Sequence, residues 1–231
     1  MLEMVTLTGA DDTTEQGDLF RFSALYPFVE WGVLFHGELH GSGRYPSITW
    51  IEDLCSQMRH FQSTRFALHI CGHAALLEFL NGVGKVSMLA EHFPRIQLNL
   101  NASRVDVRRL DDTIQKHPEK IFITQHNHIN KDLWNVLREH ENHAVLFDES
   151  GGKGISPANW STPFPHKRCG YAGGLGLENL KQELPRIECA AASMPFWVDM
   201  EAKLRNNLDQ FDVSVAHECL SICNVFLAQR R

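Results

Sequence analysis

Runs of lysine or arginine are missing from this 231-residue chain, whose formal net charge is −6. Neutralising a nucleic-acid backbone needs a basic patch, so no nucleic-acid partner is expected. No 18-residue apolar run occurs, which argues against a membrane-spanning helix and a membrane partner. The opening MLEMVTLTGADD has neither a basic region nor a long apolar stretch. No signal peptide is read there, and a cytoplasmic location is expected. The six cysteines (Cys55, Cys71, Cys169, Cys189, Cys219 and Cys223) form no CxxC pair. They sit mostly in apolar stretches, as reduced thiols of a cytosolic protein do. Internal repeats and low-complexity linkers are also absent.

What is present suits a soluble α/β protein. Hydrophobic residues make up 43% and charged residues 22%, a balance that needs no staple in a chain of this length. Eight short apolar runs recur: Glu3–Thr8, Glu30–His36, Arg65–Cys71, Arg95–Asn101, Lys120–Gln125, His143–Asp148, Cys169–Ala172 and Pro195–Met200. Most are rich in Val, Ile, Leu and Phe, the composition of parallel strands covered on both faces. Between them, Ile48–Phe61, Val105–Lys116, Lys131–His140, Leu177–Cys189 and Ser214–Ala228 follow a helical period. Asn130 is a candidate cap for the helix from Lys131. Pro-rich Ser156–Arg168 reads as a loop replacing much of the sixth helix. Strand–helix alternation repeated eight times over residues 1–231 predicts one α/β domain, a single (β/α)₈ TIM barrel. The alternative, a doubly wound open sheet, normally opens with a glycine-rich turn. GADDTT after the first strand has one glycine.

Barrels of this kind place their sites at the C-terminal ends of the strands. Nearly every run here ends in polar groups, which are costly to bury without partners. Asp148 leads into Glu149-Ser150-Gly151-Gly152-Lys153-Gly154, and Ala172 into Gly173-Gly174-Leu175-Gly176, with Glu178 and Asn179 expected in a helical first turn. Glycine lets backbone N–H groups approach an anion closely. Two such clusters at neighbouring strand ends predict a phosphate site; the competing reading is tight turns alone. Among 13 histidines, His69 with His126 and Asp148 is the set that could hold a metal, but no spacing matches a strong metal signature. Trp160, in the loop after the sixth strand, either covers a ligand ring or packs on the barrel.

The words FDESGGKG (147–154), YAGGLGLEN (171–179) and VDME (198–201) resemble, in order and spacing, the last third of phosphoribosylanthranilate isomerase of tryptophan biosynthesis. Val33-Leu34-Phe35 followed by Ser42-Gly43-Arg44-Tyr45 is similar to that family's second strand and its S-x-R-Y word. The resemblance implies an aldose–ketose isomerase that performs an Amadori rearrangement on a small phosphorylated aminosugar. It implies no metal or organic cofactor, and a monomer or homodimer. It puts the general acid on Asp148, a carboxylate-holding role on Arg44, and phosphate and substrate contacts on Gly152, Gly154, Gly173, Gly174 and Asp199. Thr8 stands where the family has its basic cysteine, and a threonine hydroxyl is a poor base. Candidate replacements are His69, Asp11, Asp12 and Glu30, of which His69 has the most suitable chemistry. The strand-eight segment VDMEAKLR lacks the family's SSG, for which Lys203 and Arg205 are candidate substitutes. Two other readings stay open: a barrel that binds a phosphorylated metabolite without turning it over, and a divergent, metal-dependent enzyme acting on another phosphorylated sugar.

Overall fold

A computed structural model describes residues 1–151 and 154–230. Eight strands, β1 Leu2–Thr8, β2 Val29–His36, β3 Arg65–Cys71, β4 Arg95–Asn99, β5 Ile121–His126, β6 His143–Phe147, β7 Cys169–Ala172 and β8 Phe196–Met200, run parallel. They hydrogen-bond in sequence order, and β8 closes on β1. The expected (β/α)₈ barrel is therefore the fold. Helices α1 Gln16–Leu25, α2 Ile48–Met58, α3 His73–Leu80, α4 Gly84–Ala90, α5 Val107–Lys116, α6 Leu133–Leu137, α7 Leu180–Ala190 and α8 Val213–Ala228 accompany them. Two helices follow β3, and the described residues between β6 and β7 form none, as the proline-rich stretch predicted. Among the described residues no helix is long and apolar enough to cross a membrane.

Side chains alternate along a strand, so each strand serves two environments. On β1, Val5 and Leu7 join the large core between barrel and helices. Met4, on the other face, joins a small inner core with Ile123, Ala144, Leu146 and Trp197. Beside these and the inward-facing Leu34 and Ala67, much of the barrel interior is polar. Thr6 donates to Glu30 Oε1 at 3.0 Å, and Arg95 pairs with Glu30 Oε2 at 2.6 Å. The Arg95 guanidinium lies 5.2 Å from the ring centre of Trp197, a cation–π contact strengthened by burial. Gly170 on β7 makes room for that indole: a Cβ there would fall 2.0 Å from Trp197 Cε2.

Several boundaries depart from expectation for local reasons. The fourth strand stops at Asn99 because the Asn101 side chain accepts from Ser103 N and starts a 3₁₀ turn, Ala102–Arg104. Asn130 caps no helix: it accepts from Ala102 N and donates to Leu100 O, tying two loops, while α6 begins only at Leu133. Glu178 precedes α7 and Asn179 is its N-cap residue, so neither lies in the first turn. Helix α3, HAALLEFL, is too uniformly apolar to show a period in the sequence. Asp106 and Asp212 cap α5 and α8 by accepting two backbone N–H groups each, which satisfies donors that a helix start leaves unpaired.

Candidate active site

The C-terminal ends of the strands surround one open cavity of about 520 Å³. Asp148, just past β6, and Asp199, on β8, both line it. So do Arg44 and Tyr45 after β2, Cys71, Asn99, Gln125, the Gly173–Gly174 turn and Glu201. Inward-facing residues at the strand ends and the loops that follow build the site, as the barrel geometry requires.

The two aspartates have different surroundings. Asp148 is buried and accepts from Gln125 Nε2 at 3.0 Å and from Ser150 Oγ at 2.8 Å. Asp199, equally enclosed, accepts the Thr8 hydroxyl on Oδ1 at 2.8 Å. Its Oδ2 bonds to no described residue, and the side chain lines the cavity. Burial, reinforced by the charges of Glu201, Glu30 and Asp148, lifts the Asp199 carboxyl to about 8 against the smaller opposing effect of the Thr8 bond. Burial and the like charges both favour the neutral acid over the carboxylate.

Thr8 thus touches the site through Asp199 and does not line the cavity itself. His69 is fully buried below it, packed with Thr8 over Gly32, where a Cβ would meet Thr8 Oγ1 at 2.2 Å and His69 Cε1 at 2.9 Å. Burial and then the Arg95 charge drive His69 down to about 3, so it stays neutral. Its Nε2 has no partner among the described residues. The other candidate bases are placed elsewhere. Glu30 sits in the barrel interior against Arg95, Asp11 pairs with Arg205 at 2.7 Å, and Asp12 accepts from Ser47 N at 2.8 Å. No group of three His, Cys, Asp or Glu side chains among the described residues is arranged to hold a metal. His126 packs edge-on against Phe147 and Phe164.

On the glycine side, the β7 turn leaves Gly173 at φ 132° and Gly174 at φ 59°, conformations that suit glycine. Their carbonyls are used: Ser156 Oγ donates to Gly173 and Asn179 Nδ2 to Gly174. Their amides donate to no described residue. A Cβ at Gly174 would lie 2.5 Å from Gly154 O, so the two glycine loops touch, and packing alone already demands glycine there. Gly154 follows the undescribed pair, and Gly152 lies outside the described residues. The Gly176 amide donates to Asn179 Oδ1 at 3.0 Å and is not available to a ligand.

Three expectations move away from the ligand. Lys203 does not line the cavity; it packs over Gly176 and reaches Glu178 at 3.5 Å. Arg205 is buried and holds Gly9 O, Asp11 and Asp209, fastening the first loop to the last. Trp160 is buried, donates to Glu183 at 2.7 Å and packs edge-on to Tyr171, so it is loop packing. Arg44 does line the cavity, but its Nη1 is 2.6 Å from Glu201 Oε1.

Sequence reasoning passed over Gln125 and Ser150 as carboxylate donors, and over Cys71, which accepts from Asn99 Nδ2 at 3.1 Å. Burial pushes that thiol up to about 12, so it is no thiolate base. The signal for these residues was their place at a strand end on the inward face.

No family model matches the sequence, and no curated protein matches it. Solved structures do match in shape. Phosphoribosyl anthranilate isomerase from Thermotoga maritima aligns over 97% of this chain and 99% of its own, with TM-score 0.65 and 15% identity. The enzyme of the same name from Thermus thermophilus aligns over 99% and 100%, with TM-score 0.63 and 13% identity. A phospho-2-dehydro-3-deoxyheptonate aldolase from Thermotoga maritima aligns over 99% of this chain and 70% of its own, at TM-score 0.59 and 11% identity. The chain therefore resembles phosphoribosylanthranilate isomerase in fold along nearly its whole length.

Proposed function

We propose that residues 1–231 work as one catalytic barrel, an aldose–ketose isomerase of the phosphoribosylanthranilate isomerase type acting on a phosphorylated aminosugar. The observation that carries this reading is the pairing, in one cavity, of two carboxyl groups in unlike surroundings with a glycine turn whose amides donate to no described residue. An Amadori rearrangement needs one group to protonate the ring oxygen and one to take the proton from C2. Asp148 and Asp199 supply two such groups; the family resemblance puts the acid on Asp148. The phosphate is held by the amides of Gly173 and Gly174, with Gly154 beside them; Gly152 lies outside the described residues. The reaction needs neither metal nor organic cofactor. No phosphate role falls to Lys203.

One observation favours a second substrate. Glu201 occupies the guanidinium edge of Arg44, where the family reading would seat an anthranilate carboxylate. Arg104, which also lines the cavity, pairs with no acidic group among the described residues. A conjugate carrying its carboxylate toward Arg104, or carrying none, fits this arrangement. Expression in a tryptophan auxotroph lacking the isomerase tests the first substrate. Growth that disappears with Asp148→Asn is expected for the anthranilate conjugate. No growth despite abundant folded protein would assign the site to another phosphorylated aminosugar.

A further inference from the structure

We propose that the two carboxyl groups have exchanged the roles the family resemblance gives them: Asp199, positioned by Thr8, is the general acid, and Asp148 is the base. This rests on the isomerase reading above.

The geometry of each group argues for it. Asp148 accepts from at least two donors, the Gln125 amide and the Ser150 hydroxyl, one on each oxygen. A carboxylate has only acceptors and is matched by such donors; a carboxylic acid would have to turn its own proton against one of them. Among the described residues Asp199 is met by one donor, on Oδ1. Its Oδ2 is left for a proton and belongs to a side chain that lines the cavity. The charged groups that act on it are of its own sign: Glu201 just past its own strand, Glu30 on β2 and Asp148 beyond β6. Arg44 is paired with Glu201, Arg95 with Glu30 and Arg205 with Asp11. His69 on β3 is neutral and brings no charge. Burial among like charges favours the protonated form, in line with the rise to about 8. The missing cysteine then has a consistent explanation: with the base just past β6, the end of β1 needs a hydroxyl that orients an acid.

The step balances without a co-reactant. The Asp199 proton passes to the ring oxygen as the C1–O bond breaks, and the nitrogen lone pair forms the C1=N iminium. Asp148 takes the C2 proton, and the C2–H electron pair becomes the C1=C2 bond, neutralising the iminium. The enaminol tautomerises to the aminoketose, losing its hydroxyl proton and gaining one on C1. Asp199 is reprotonated, and Asp148 deprotonated, by exchange with water.

Kinetic isotope effects on C2-deuterated substrate separate the two steps. Each loss should lower kcat/KM by about 10²–10⁴-fold. In Asp199→Asn ring opening becomes limiting, so the C2 isotope effect should fall toward 1. In Asp148→Glu proton abstraction becomes limiting, and the effect should rise. The alkaline fall of kcat/KM near pH 8 should vanish in Asp199→Asn. The opposite isotope pattern would overturn the assignment. A second measurement needs no turnover: carbon-13 titration of aspartate carboxyls, with the Asp199 signal identified by its loss in Asp199→Asn. A signal protonated at pH 7 supports the acid role, and one ionised near pH 4 overturns it. A wild-type protein inert on aminosugar phosphates, yet with Asp199 protonated at pH 7, would sink the isomerase reading while leaving the physical state of the acid intact.

Discussion

Thr8 and Asp199 form the contact on which most of the residue-scale behaviour depends. The Thr8 hydroxyl stabilises the ionised form of Asp199, so Thr8→Val should move the alkaline limb of the pH–rate profile upward and lower kcat/KM. An unmoved limb would show that Thr8 only fills space. Stability should respond as well. Folded Asp199 holds its proton to about pH 8, whereas an unfolded aspartate releases it near 3.9. Between those values the folded state binds the extra proton, so stability declines as pH rises, by at most about 1.4 kcal/mol per unit. Asp199→Asn should flatten that slope in urea titrations at pH 5 and pH 8. At this scale the place of Asp148, Arg44, Gly154, Gly173 and Gly174 at the cavity was legible from the order of residues, because strand ends and glycine words are local. The surroundings of Asp199 were not, because Thr8 and Glu30 reach it from β1 and β2, some 170 to 190 positions earlier.

At the scale of elements, the barrel is filled by unlike partners that only one register brings together. Trp197 of β8 occupies the space that Gly170 of β7 leaves, and Arg95 of β4 covers its ring. Gly170→Ala would drive a methyl group into the indole, with backbone on both sides of a central strand. A loss of about 1–3 kcal/mol is expected from such overpacking, read as a lower urea midpoint with an unchanged slope. A neutral result would mean that the indole can move aside. The strands themselves were legible through their apolar, β-branched content, and all eight were placed within two residues at each end. Asn130 misled because its side chain ties two loops across the barrel rim, which no local pattern records. The exact start of α7 was equally hidden, because Asn179 spends its side chain on Gly174 and Gly176.

Across the whole molecule, closure of β8 on β1 is what makes a site from residues that no short motif contains. It brings Asp199 to Thr8, Glu201 to Arg44 and Arg205 to Asp11. The same closure explains why a chain only 15% identical to a known isomerase can keep its shape: the fold needs outer apolar faces and fitted inner ones, and leaves the polar strand ends free to change. The Gly173–Gly174 turn and Asp148 stand on one side of the cavity, and the Arg44–Glu201 pair on the rim between β8 and β2. Function is therefore decided by whether the two carboxyl groups act on one bound sugar. The most direct test is turnover by the purified protein of N-aryl and N-alkyl ribosylamine 5-phosphates, followed by NMR as the C2 proton is lost and the ketose appears. The account predicts ketose formation with at least one of these conjugates, abolished by Asp148→Asn and by Asp199→Asn while phosphate binding persists. Ketose formation that survives both substitutions, or its absence with every conjugate despite binding, would contradict it.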